Sequence, residues 1–263
     1  MPGEMSDAII SRHADKGSWK IDRQDLENDD RLDEKDVDVI MNTLNLDFSD
    51  LKETSLSKDG LIRSIRLGDK IFNDIVDVLT QEQKKKFILL VADSGKDRAK
   101  LTKAIVANRI AQKEDEFNAK AKDLLEINIL QLEPQNMPAW LKDSHNDPYE
   151  PYGERVKKGE LTEDEAITQW LKDLNQPGLE IVPEKLPKES GDRYRSTIRK
   201  LMRRITSEKV PLSLLAVGHC GPLGQIEYED KKGDISPEDI PNFCELYRFD
   251  KKGNFLKKES VEI

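Results

Sequence analysis

Histidine is almost absent from this chain: among 263 residues it occurs only three times, at positions 13, 145 and 219. None of the three stands at helical spacing from another ligand type, which argues against a zinc centre. Cysteine is scarcer still. Cys220 and Cys244 are too few for a disulfide framework and fit the reduced thiols of a cytoplasmic protein. No run reaches the roughly 18 apolar residues that a membrane span needs. The N-terminal stretch MPGEMSDAII is acidic and lacks the apolar core of a signal peptide. Lys and Arg number 43 against 52 Asp and Glu, and the resulting net charge of −9 speaks against general affinity for nucleic acid or an anionic membrane. Internal repeats and low-complexity tracts are also missing.

What is present fits one compact domain of long charged helices around a buried sheet. Four short apolar runs, at 8–11, 87–92, 124–129 and 212–217, have the character of buried strands. Between them, residues 61–79 carry apolar side chains near a 3.6 period, residues 97–110 follow a plausible N-cap at Ser94, and residues 193–205 form a basic amphipathic pattern. This alternation predicts an α/β fold, a three-layer α/β/α sandwich with a mostly parallel central sheet. CELYRF and FLKKESV, flanking DKKGN, predict a hairpin on the sheet edge. Two segments fit less well and are expected as excursions from the core. One is an acidic insertion at about 16–54, with weak helical patterning. The other is a cap at about 133–188, which holds seven of the twelve prolines.

The most informative stretch is LLAVGHCGPLG, residues 214–224, where an apolar strand runs straight into His219 and Cys220. A cysteine phosphatase would need an arginine six residues after the thiol, but Ile226 stands there, and no helix N-terminus is evident around Pro222. A grouping of His219 with Arg12-His13 and Arg98 is more coherent. Arg12-His13 ends the first strand, and Arg98 lies in the first turn of the helix after the second. In a parallel sheet these C-terminal strand ends share one crevice. Two imidazoles, two guanidinium groups and helix amides would suit a phosphoryl group there.

In that order the residues resemble the histidine phosphatase superfamily, with its phosphoglycerate-mutase-like fold. Arg12-His13-Ala14 matches its opening motif, and LSKDG its Leu-Thr-x-x-Gly turn, with Leu56, Ser57 and Gly60. Ser94, Arg98, Ala99 and Thr102 match the segment after the second strand. Glu126-Ile127 with Glu133, Glu189-Ser190, and finally Gly218-His219 complete the series. The chain departs from the pattern at Leu130, Leu132, Pro134 and Lys188.

The resemblance implies a metal-independent phosphatase, without cofactor, acting on a small phosphorylated substrate or a phosphoprotein. His13 would be the nucleophile that forms phosphohistidine, Arg12, Arg98 and His219 would bind phosphate, and Glu126 would be the general acid and base. Two alternatives stay open. One is a mutase-type phosphotransferase, less favoured because no Arg-His-Tyr-Gly run follows Glu126. The other is a non-catalytic scaffold that binds a phospholigand. His145 and Cys220 carry no expected role beyond an exposed loop and a packing position.

Overall fold

The computed structural model describes residues 8–20, 22–48, 53–81, 85–120, 124–132, 150–175, 196, 199, 211–250 and 252–262. Its centre is a six-stranded sheet in the order β5-β4-β6-β1-β7-β8. The strands are β1 (Ala8–Arg12), β4 (Lys86–Asp93), β5 (Glu126–Gln131), β6 (Leu212–Gly218), β7 (Leu246–Phe249) and β8 (Phe255–Glu259). β5, β4, β6 and β1 run parallel, while β7 and β8 add antiparallel on the β1 side as the expected edge hairpin.

Alternation along the buried strands builds the layers. Ile9, Leu89, Val91 and Leu215 face one way into a core shared with α3 (Lys58–Gln81) and α4 (Asp97–Lys120). Ile10, Leu90, Ala92, Leu214 and Ala216 face the other way, against Leu223 and Ile226 of α7 (Cys220–Asp230). The apolar stripe of α3 follows the expected period, with Ile65, Ile71, Ile75 and Leu79 all fully buried. α4 runs ten residues past the expected end at 110, because QKEDEFNAK continues in residues of good helix propensity.

The acidic insertion departs from expectation. It folds into β2 (Lys16–Lys20), α1 (Arg23–Glu27), α2 (Glu34–Asp47) and β3 (Glu53–Leu56), with β2 and β3 paired antiparallel. α2 is started by a capping box. The Asp33 carboxylate accepts from the Asp36 amide at 2.8 Å, and Asp36 accepts from the Asp33 amide at 3.3 Å. Val37, Ile40 and Leu44, one face of α2, are buried in the main core, so this segment belongs to the core and is no excursion from it. Asp36 and Arg109 of α4 lie 2.7 Å apart with side chains 2% and 3% exposed. The contact is off-line for a hydrogen bond, so their attraction is chiefly electrostatic. Arg109 also donates to Asp69 at 2.7 Å and Gln112 at 2.6 Å, which ties α2, α3 and α4 together.

Within the cap insertion, α5 (Glu150–Lys157) and α6 (Glu163–Leu174) are described. Ile167, Trp170 and Leu171 of α6 form a small core with Ile235 and Ile240. α6 also presses on α7: a Cβ on Gly224 would stand 2.8 Å from Leu171 Cδ1, so the absence of a side chain there is what permits the approach. Of the basic segment 193–205, only Ser196 and Arg199 are described, both helical.

Asp36→Ala should lower stability by about 2 kcal/mol in urea denaturation, since it removes one of the two carboxylates on buried Arg109 and half of the α2 capping box, while Asp69 stays as counter-charge. Combined with Arg109→Met, the loss should be smaller than the two single losses added.

Candidate active site

Three parallel strands end side by side, and their backbones are stitched together just where the candidate residues begin. His13 N–H donates to Gly218 C=O at 3.0 Å, and Ser94 N–H to Val217 C=O at 3.1 Å. Arg12 is paired in register with Gly218. Arg12, His13, Ser94 and His219 therefore share the C-terminal end of the sheet, as the strand reading requires. The rings of His13 and His219 meet edge to face, with centroids 5.0 Å apart.

Arg98 lies in the first turn of α4, near enough for its charge to act on His13. Thr102 locks that turn to the loop after β1, because its hydroxyl donates to Arg98 C=O at 2.8 Å and accepts from Ala14 N–H at 3.1 Å. The turn before α3 braces the loop from the other side. Ser57 N–H donates to Asp15 C=O at 3.0 Å, and a Cβ on Gly60 would come within 2.6 Å of that same oxygen. The backbone leaves no room for any side chain at position 60.

His13 is 3% exposed. Its Nδ1 lies 2.7 Å from Ala14 C=O. A carbonyl only accepts, so Nδ1 carries the proton and Nε2 keeps a lone pair. Burial, joined by the positive charges of His219, Arg98 and Arg12, pulls the His13 pKa from 6.5 down to about 2. The ring is therefore held neutral at ordinary pH, with Nε2 unprotonated.

Arg12 is buried, 4% exposed. One guanidinium nitrogen donates to Pro241 C=O at 2.5 Å, another lies 3.8 Å from Glu163 Oε1, and Nε has no hydrogen-bond partner among the described residues. Its Cζ sits 3.9 Å above the Phe243 ring, which also flanks His13 at 5.8 Å. Phe243 and Glu163 were not legible as site residues, since neither lies near any motif. The loop that brings Phe243 is held by Cys244, whose N–H donates to Arg12 C=O at 3.1 Å from a left-handed backbone at φ 59°. A non-glycine residue in that region costs about 1–2 kcal/mol.

Two expectations need correction. A helix does start after His219: α7 begins at Cys220, with His219 in the N-cap position. Pro222 is tolerated because the first helical turn has no backbone donor to lose. Burial raises the Cys220 thiol pKa, so a thiolate nucleophile is disfavoured. The second correction concerns Glu126. It opens β5, paired with Lys86 at the start of β4, and so lies at the opposite end of the sheet from Asp93 and Ser94. At about 3.3 Å per residue the separation along β4 is roughly 20 Å. Glu126 is exposed, ion-paired with Lys86 at 2.8 Å, and hydrogen bonds from Lys86 and Asn128 lower its pKa. Each of these features is the reverse of what a proton donor to this pocket requires. The strand starts two residues later than the apolar run suggests, which moves Glu126 to its first position. Glu133 follows Leu132, whose amide bonds Val91 C=O at 2.9 Å; Glu133, Glu189, Ser190 and His145 lie outside the described residues.

Glu163 would compete with any anion that Arg12 receives. Glu163→Gln should tighten binding of inorganic phosphate about fivefold by calorimetry, the equivalent of about 1 kcal/mol for a pair 4 Å apart in a water-like medium. The depressed pKa of His13 has a stability consequence. As pH falls from 6.5 toward about 2, the unfolded chain binds a proton at this ring that the folded chain refuses. Stability should therefore be lost on acidification, by up to about 1.4 kcal/mol per pH unit from this ring. Thermal melts of His13→Asn should show a shallower decline through the same window. No protein-family model matches the chain, and no curated protein does either.

Proposed function

We propose that this chain is a phosphomonoesterase of the histidine phosphatase type, working through phosphohistidine at His13. The observation that carries the reading is a buried, neutral imidazole with its Nδ1 proton fixed on Ala14, set among His219, Arg98 and Arg12. A neutral nucleophile surrounded by cations suits attack on a dianion better than it suits a packing role. In the first step Nε2 of His13 forms a bond to phosphorus, and the bond from phosphorus to the ester oxygen breaks. That oxygen leaves as the alcohol after taking a proton from a carboxylic acid. In the second step water attacks phosphorus, the N–P bond breaks, the carboxylate takes the water's proton, and inorganic phosphate departs. Arg12, Arg98 and His219 would offset the charge on the non-bridging oxygens throughout.

Glu126 has no part in this scheme. The family pattern has one further glutamate here, Glu133, which lies outside the described residues. The placement of Glu126 also favours a second reading, a phospholigand-binding scaffold in which the cradle is kept and turnover is lost.

One set of assays separates these readings. Wild type should hydrolyse p-nitrophenyl phosphate in EDTA, and His13→Ala should abolish it. Brief incubation with ³²P-labelled substrate should leave acid-labile, alkali-stable label on wild type only. Glu126→Gln should stay within about twofold of wild type on a substrate with a poor leaving group, as expected of an exposed ion pair. Glu133→Gln should slow that substrate far more than p-nitrophenyl phosphate, because an acidic leaving group needs little protonation. Phosphate or vanadate binding without turnover at any pH would select the scaffold.

A further inference from the structure

We infer that Ser94 is a positioning residue for His219, fixing the orientation of that imidazole through its hydroxyl. The expected effect on rate rests on the phosphatase reading, but the structural content stands on the contact alone. Ser94 Oγ lies 2.7 Å from His219 Nε2, joining residues 125 positions apart, and Ser94 is 4% exposed. A buried hydroxyl left without a partner would cost about 1–3 kcal/mol, so this contact is strongly favoured over its absence.

Ser94 sits on a braced turn. Its N–H donates to Val217 C=O at 3.1 Å, and the preceding Asp93 accepts from Gly95 N–H at 2.7 Å. Asp93 is also ion-paired with Lys103 of α4 at 2.7 Å, with side chains 3% and 11% exposed. His219 occupies the N-cap position of α7 but makes no capping hydrogen bond with its side chain. Ser94 supplies an anchor for the ring from the strand end beside it.

The chemistry of a hydroxyl fits the task. Serine can donate to a neutral imidazole nitrogen or accept from a protonated one, so it holds Nε2 in either state. A carboxylate in this place would orient the ring equally well but would cancel a positive charge that the anion needs. Serine orients the ring and leaves the cradle cationic. This also gives Lys103 a consequence: its pair with Asp93 stiffens the turn from which Ser94 reaches.

The test uses the full chain with Ser94→Ala and Ser94→Thr. Three readouts are needed: ¹H–¹⁵N spectra of the His219 ring, calorimetric binding of inorganic phosphate, and the pH profile of kcat/KM for p-nitrophenyl phosphate. In Ser94→Ala the ring nitrogen signals should shift and phosphate should bind more weakly. The rate should fall about 10- to 100-fold, the rate equivalent of one hydrogen bond to a charged group. The acid limb of the pH profile should also move. Ser94→Thr, which keeps the hydroxyl, should restore most of each. Unchanged ring signals and phosphate affinity in Ser94→Ala would overturn the inference. So would equal impairment in both variants, which would point to side-chain volume and not to the hydroxyl. If wild type turns out inert while the ring and phosphate readouts respond as stated, the hydrolase reading fails and the role of Ser94 stands.

Discussion

Arg12 must keep its charge at the end of a strand that is buried along its whole length, where water cannot solvate it. Much of the surrounding architecture follows from that demand. Pro241 turns a carbonyl onto it, Phe243 lays a ring beneath it, and the first turn of α6 brings Glu163 within 3.8 Å. To present that loop the chain accepts a left-handed Cys244, whose amide closes on the Arg12 carbonyl. Local strain of this kind persists only where neighbouring contacts over-determine it. Here those contacts are the fully buried β7 on one side and the guanidinium on the other.

A second buried arginine makes the contrast. Arg109 is as deeply buried as Arg12, yet each of its guanidinium nitrogens meets a polar partner: Asp69, Asp36 or Gln112. That is the pattern of a structural ion pair, whose removal costs stability and little else. Arg12 has one carbonyl, one distant carboxylate and a buried Nε with no partner among the described residues. Desolvating a charge without completing its hydrogen bonds is unfavourable unless a ligand completes them. Among the described residues, then, Arg109 has a polar partner for every guanidinium nitrogen and Arg12 does not.

The sheet was legible because its strands are unusually plain: β1, β4 and β6 are apolar on both faces, and each ends within a residue or two of the expected position. Arg12, His13, Arg98 and His219 were legible for the same reason, since parallel strands place their ends together. Other features were hidden. α2 mixes charged, amide and apolar residues on its outer face, which blurs the period, and its start is written only in the Asp33–Asp36 capping box, which resembles any acidic loop. α7 was masked by Pro222, although a proline in the first turn is compatible with a helix. Glu126 was misplaced because an apolar run does not say where a strand begins, and a slip of two residues exchanges the middle of a strand for its end. Phe243 and Glu163 come from a loop and a cap that only tertiary packing brings to Arg12.

A chain of contacts runs from the end of the sheet to the cap. His219 leads directly into α7, and α7 carries Gly221 and Gly224 on the face that meets Trp170 and Leu171 of α6. α6 in turn begins with Glu163, the carboxylate that faces Arg12. Glu163 is thus carried by a helix that packs closely on α7, the helix into which His219 leads. Ser94 restrains His219 from the opposite side, through the braced end of β4. The imidazole and the carboxylate nearest Arg12 therefore hang from different elements, one from the sheet and one from the cap.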